Sequence, residues 1–223
     1  MSYVPPCKLL TEWLDSRPRN AGGRLAMLYE DVVDVLTAFI SAIPVNEEWY
    51  LAEYPAVADL VRNSQTETAK RHFRMHGYFE NRRPFVAGWN GFVEPVPFDR
   101  LKPLLRVAPT SGGLTSYMFQ DDFIELIKQL LKSVPVDGAW YSSYYPIEEI
   151  GIIKSDIETV SAHYVEIGYF KGWLPADVVV DAEWYKQRYE HVRHGLELGH
   201  AADAKDHFLK IGYREGCRPI PPS

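Results

Sequence analysis

The stretch Val180-Asp181-Ala182-Glu183-Trp184-Tyr185, followed by His207-Phe208, Gly212-Tyr213 and Pro219, decides the reading of this chain because it is the last of three such blocks. The others open at Val45-Asn46-Glu47-Glu48-Trp49-Tyr50 and Val136-Asp137-Gly138-Ala139-Trp140-Tyr141. Counting from each Trp, a Tyr lies 5 residues on (Tyr54, Tyr145, Tyr189) and a His 23 on (His72, His163, His207). A Gly follows 28 on (Gly77, Gly168, Gly212) and a Pro 35 on (Pro84, Pro175, Pro219), with no gap in any block. Upstream, Met27-Leu28-Tyr29-Glu30-Asp31 matches Met118-Phe119-Gln120-Asp121-Asp122 at an offset of 91, and Gly22-Gly23 roughly matches Gly112-Gly113. The third block starts 44 residues after the second and lacks that upstream part, like the atypical terminal unit of a repeat protein.

Within one unit the spacing is helical. Leu28, Val32, Val35, Leu36, Phe39, Ile40 and Ile43 form one apolar face, and Phe119 to Val134 does the same. Both runs end at a proline, Pro44 or Pro135, which disfavours helix in the residue before it. Asn46, Asp137 and Asp181 are placed to cap a short helix carrying the Trp-Tyr pair, and Pro55 and Pro146 limit that helix. A third helix is expected from the capping boxes Ser64-Gln65-Thr66-Glu67 and Ser155-Asp156-Ile157-Glu158 to Gly77 and Gly168. There Gly77, Gly168 and Gly212 suit a left-handed terminating residue. No sustained alternation of period two is seen, so an all-α fold of tandem helical units (long, short and medium helix) is expected. The divisions are an N-terminal segment 1–26, unit 1 at 27–84, a Pro/Gly/aromatic connector 85–117, unit 2 at 118–175, and a partial unit with tail at 176–223. The connector reads as extended with one helical turn, wrapped rather than dangling, because Phe85, Trp89, Phe92 and Phe98 are costly to leave in water.

Composition narrows the function classes. Hydrophobic residues at 46% and charged residues at 24% belong to a folded globular chain. A net charge of −6, with no basic cluster beyond Arg82-Arg83, opposes the positive surface that phosphate backbones require. No apolar stretch has the length of a membrane span or a secretory leader, so a cytoplasmic protein without membrane insertion is expected. The two cysteines, Cys7 and Cys217, are too few for a disulfide framework and are expected to stay reduced.

The block residues Trp49, Trp140, Trp184, His72, His163, His207, Gly77, Gly168 and Gly212 read as structural. One His per unit, beside an aromatic and before a Gly, fits a buried hydrogen-bonding histidine better than a ligand. Aromatics outside the block pattern are the better binding candidates: Trp89, Tyr144 and Trp173. His191, His194, His200 and His207 form the densest His group, and the first two have i, i+3 spacing. No carboxylate or Cys stands at a recognised zinc spacing from them, so neither metal nor cofactor is expected. The chain holds no G-x-S-x-G elbow and no Gly-rich phosphate loop, and no catalytic residues are assigned.

The third block, with Gly212-Tyr213-Arg214-Glu215-Gly216-Cys217-Arg218-Pro219, resembles a short accessory repeat of bacterial glycosyltransferases from surface-polysaccharide loci, similar to D-x-E-W/Y-Y-L … H-Y-x-x-x-G-x-x-E-G-R-x-P. Tyr54-Pro55-Ala56-Val57 and Arg82-Arg83-Pro84 in the first block, and Tyr145-Pro146 in the second, carry the same likeness. The resemblance covers the blocks alone, without a transferase domain, and implies a module rather than an activity. The leading expectation is a non-catalytic docking protein whose partner is a glycosyltransferase or another polysaccharide-synthesis enzyme, with self-association an open option. The alternatives are a carbohydrate-binding module using exposed aromatics, and a small enzyme with a histidine site between units.

Overall fold

The computed structural model describes residues 3–64, 67–146 and 157–221. The chain is mostly helical, with a small sheet, and its contacts separate into two compact units. One comprises Pro5–Asp15 and the chain from Val136 onward; the other is built on Ser16–Pro135. Among the described residues no helix is long and apolar enough to cross a membrane.

Helix α1 (Cys7–Asp15) belongs to the first unit, where it packs on a 3-10 turn at Tyr169–Lys171. In the second unit, strand β1 (Leu25–Leu28) leads into α2 (Tyr29–Ile40), followed by α3 (Glu47–Glu53), α4 (Pro55–Asn63) and α5 (Ala69–His72). Then come α6 (Phe98–Leu101), strands β2 (Val107–Thr110) and β3 (Gly113–Met118), and α7 (Gln120–Leu131). The first unit resumes with α8 (Gly138–Tyr144), α9 (Ile157–His163), α10 (Ala182–Arg188), α11 (Glu190–Glu197) and α12 (Ala204–His207).

The core of the Ser16–Pro135 unit is the contact of α2 with α7, backed by β1 and β3. Val32, Leu36, Phe39 and Ile40 face inward from α2; Phe123, Leu126, Ile127, Leu130 and Leu131 do so from α7. The strands order β1-β3-β2, antiparallel throughout. In the β1 to β3 ladder Leu25 faces Met118, Ala26 faces Tyr117 and Met27 faces Ser116. Under the offset of 91 residues this pairing is two-fold symmetric about Ala26 and Tyr117.

The all-α expectation is therefore corrected by this sheet. Period-two alternation fails as a signal because β3 turns Thr115 and Ser116 inward and leaves Leu114 exposed. The buried polar groups are satisfied: the Ser116 hydroxyl donates to the Leu105 carbonyl at 2.5 Å, and Thr115 bonds the Thr110 hydroxyl at 3.0 Å. Besides the expected helical turn, seen as α6, residues 85–117 hold β2 and most of β3. Their aromatics do pack inward, with Phe85 and Phe98 buried.

Helix limits differ as well. Leu28 lies in β1, and α2 and α7 stop at Ile40 and Leu131, short of the prolines. The chain tightens there to i−3 bonding, Ile43 N–H to Ile40 C=O and Val134 N–H to Leu131 C=O (both 3.0 Å), which keeps Ile43 and Val134 buried. Pro55 occupies the first turn of α4, where its missing N–H costs nothing. The helix expected from Ser64 begins later, capped by Thr68, although Ser64 Oγ does accept from Glu67 N–H at 3.0 Å. The matching box at Ser155-Asp156 lies outside the described residues.

Ser116→Ala orphans the Leu105 carbonyl in a dry site. The urea midpoint should fall by the equivalent of about 1–3 kcal/mol with an unchanged m-value; an unchanged midpoint would show that the bond contributes nothing net.

Candidate functional site

The three blocks build one side-chain cluster three times. The Asn46, Asp137 and Asp181 carboxamide or carboxylate oxygens accept from the backbone N–H of Trp49, Trp140 and Trp184 at 3.0–3.1 Å, fixing the start of α3, α8 and α10. The same three residues donate their own N–H to the carbonyls of Pro84, Pro175 and Pro219 at 2.9–3.0 Å, tying the end of each block to its beginning. Tyr50, Tyr141 and Tyr185 are buried, and their hydroxyls lie 3.0–3.1 Å from Nδ1 of His72, His163 and His207.

Each of these histidines ends an α-turn that widens into a π-turn: Phe73–Gly77, Tyr164–Gly168 and Phe208–Gly212. The glycine closing each turn is not left-handed. Gly168 has φ −61 and ψ −45, ordinary helical values, and Gly77 and Gly212 are absent from the positive-φ positions. The expectation of a left-handed terminator is thus corrected, and the reason for glycine is packing. A Cβ on Gly77, Gly168 or Gly212 would meet the hydroxyl of Tyr50, Tyr141 or Tyr185 well inside 3.0 Å, a separation real Cβ atoms do not show.

Burial, the largest influence, pushes the His72, His163 and His207 pKa values below 6.5, with further lowering from Arg82 and His76, from Lys171 and from His191 respectively. Burial likewise holds the three tyrosines well above their usual 10. A neutral imidazole is thus paired through Nδ1 with a protonated phenol. A second tyrosine completes the cluster: the hydroxyls of Tyr54, Tyr145 and Tyr189 accept the N–H of Arg83, Leu174 and Arg218 at 2.8–2.9 Å. These imidazoles are committed to holding the block together.

One position varies within this shared frame. Arg82, Trp173 and Cys217 each donate a backbone N–H to the carbonyl of Gly77, Gly168 or Gly212 at 2.8–2.9 Å, yet their side chains differ entirely. In the first block Arg82 pairs with Glu80 at 2.8 Å and its guanidinium lies 4.9 Å from the Tyr54 ring centre. In the second, Trp173 stacks on Tyr145 (4.4 Å, 2°) and Lys171 Nζ sits 5.2 Å from its ring. In the third, Glu215 and Cys217 occupy the two positions, the thiol hydrogen-bonding the Tyr185 hydroxyl, and His191 reaches them from α11. Donor atoms of His191, Glu215 and Cys217 all lie within 4.8 Å of one another.

The expected site residues are therefore dispersed. Trp173 is only 7% exposed, so it is core and not a ligand platform. Tyr144 is 39% exposed and stacks on Trp140 (5.0 Å, 9°). Trp89 is half-buried between Phe85 and Phe92, 5.4 Å from each ring. His194 pairs with Glu197 at 3.9 Å and His200 is exposed; neither joins His191. The carboxylate and thiol companions of His191 escaped sequence reasoning because they lie 24 and 26 residues downstream, beyond any compact ligand spacing. An open groove of about 430 Å³ in the Ser16–Pro135 unit is lined by Arg100, Arg106, Asp122, Glu125 and apolar residues including Leu101 and Leu104. No family model, curated protein or solved structure gives a significant match to this chain.

Gly168→Ala should destabilise by about 1–3 kcal/mol through overpacking, despite alanine's better helix propensity. In a Tyr141→Phe background the same change should cost clearly less, because the obstructing hydroxyl is gone; additive losses in a double-mutant cycle would contradict the packing account. The depressed histidines set a pH dependence. The unfolded chain binds more protons than the folded one below about 6.5, so their contribution is complete above that pH and is lost as pH falls toward the lower folded values. The decline in Tm on going from about pH 7.5 to 5.5 should be shallower for His163→Gln than for the native chain; equal slopes would mean that His163 titrates normally in the fold.

Proposed function

We propose that this chain is made of two copies and a partial third copy of one structural unit, and that it acts as a non-catalytic docking module. Its partner is a protein, in the first instance a glycosyltransferase or another enzyme of surface-polysaccharide synthesis, met in the cytoplasm. The partner class rests on the resemblance of the blocks to the accessory repeat of such transferases.

The observation that carries the docking reading is the division of labour inside the Trp-Tyr pairs. The tyrosine is buried and committed to its histidine, whereas Trp49, Trp140 and Trp184 are half-buried and keep part of their surface accessible. Each Trp is held edge-on by the second tyrosine of its block (82–88° between rings), and Arg83 or Tyr144 stands beside it in the first and second blocks. Trp, Tyr and Arg fixed in this way lose little conformational freedom on binding and dominate protein interfaces energetically. A carbohydrate-binding reading is favoured by one feature, the parallel Trp140 and Tyr144 rings, the second of them exposed, since aromatic faces suit the apolar face of a sugar.

The test is affinity purification of the full chain from its host, with mass spectrometry and light scattering, alongside a Trp140→Ala/Tyr144→Ala variant. Stoichiometric recovery of a polysaccharide-synthesis enzyme, reduced at least about 10-fold in the variant, is expected of a hot-spot pair. A chain that elutes alone, or a partner retained equally by the variant, would refute docking through this pair. Glycan binding lost in the same variant would move the assignment to the carbohydrate reading.

A further inference from the structure

The third block differs from the others where their side chains neutralise one another. Glu80 is matched by Arg82, and Lys171 by the Trp173 ring. At the equivalent pair of positions the third block places a carboxylate and a thiol, Glu215 and Cys217, and among the described residues Glu215 has no Lys or Arg partner. Its neighbour is His191, whose Nε2 lies 3.8 Å from Glu215 Oε2. That separation is too long for a hydrogen bond. It is instead the spacing of two donors around one small ion, since a tetrahedral centre with bonds of about 2.0–2.3 Å sets its ligands ~3.3–3.8 Å apart.

We infer that His191, Glu215 and Cys217 form a binding site for a divalent transition metal of the zinc class, with one imidazole nitrogen, one carboxylate oxygen and one sulfur ligand, and a fourth position open to water. Thiolate with imidazole selects zinc-like ions over magnesium or calcium. The polypeptide holds the three donors from both sides of the cluster. Cys217 is 4% exposed and anchored by its N–H bond to the Gly212 carbonyl, so the sulfur is preplaced. His191 and Glu215 are solvent-exposed side chains whose donor atoms already lie within 4.8 Å of one another and of the sulfur, so the approach required of them is short. The ion ties α11 to the segment that closes the third block. His191 has no counterpart in the first block, where Ala56 stands at the same distance from Trp.

The experiment is titration of the untagged full chain with Co²⁺, followed by Zn²⁺ competition. One equivalent of Co²⁺ should give a near-ultraviolet thiolate charge-transfer band with tetrahedral visible absorption, bleached by Zn²⁺. Cys217→Ser should abolish the band. His191→Ala and Glu215→Gln, both surface changes, should weaken binding by more than about 10-fold, the least that losing even a supporting group costs a metal site. His194→Ala should leave binding unchanged. Zn²⁺ should raise Tm in the native chain and not in His191→Ala. The absence of a saturable band in the native chain would overturn the site. So would a band that survives Cys217→Ser, which would place the sulfur ligand at Cys7, or affinity unaffected by His191→Ala.

Discussion

A phenol hydroxyl bonded to an imidazole, seated over a residue with no side chain, is the constraint on which the blocks depend. Tyr50, Tyr141 and Tyr185 reach their histidines only because Gly77, Gly168 and Gly212 leave room for the oxygen. Leaving either buried group without its bond costs about 1–3 kcal/mol, so the pair stands or falls together. Around that bond everything else is backbone chemistry. The cap on the Trp helix, the tie from cap residue to closing proline, and the second tyrosine holding the closing segment all use main-chain donors or acceptors. Side chains outside this frame are thereby released to vary, as Arg82, Trp173 and Cys217 do.

Much of that frame is legible in the sequence. Constant spacing from Trp to Tyr, His, Gly and Pro marks the block, and the cap role of Asn46, Asp137 and Asp181 follows from their place before a Trp-Tyr helix. The role of the glycine is not legible, because a residue chosen for a left-handed backbone and one chosen to admit a hydroxyl look alike in a single chain. The sheet is hidden for a different reason. Its middle strand buries Thr115 and Ser116, and β2 contains Pro109, which an edge strand tolerates but a pattern search penalises. His191, Glu215 and Cys217 converge only after the third block has folded, so proximity along the chain says nothing of them.

The β1 to β3 ladder has the form of an isologous contact folded into one polypeptide. A residue of the first strand meets the partner's equivalent of a second position, and that second position meets the equivalent of the first. The same relation brings α2 against α7. Two amphipathic helices that resemble each other in sequence thereby cover one another's apolar faces, which removes surface that would otherwise invite association.

The π-turns impose a rule of a different kind. In each, an N–H reaches back five residues instead of four, as Tyr78 does to Phe73 and Tyr213 to Phe208, both at 2.9 Å. Removing one residue would relax the turn into an ordinary α-helix and rotate the downstream chain by about 100°. The glycine would leave its hydroxyl and the closing segment its tyrosine. Substitution can therefore diversify these blocks at many positions, while insertion or deletion inside the π-turn breaks them. The length of the turn behaves as a ruler, and it sets the register of each block more than any single residue does.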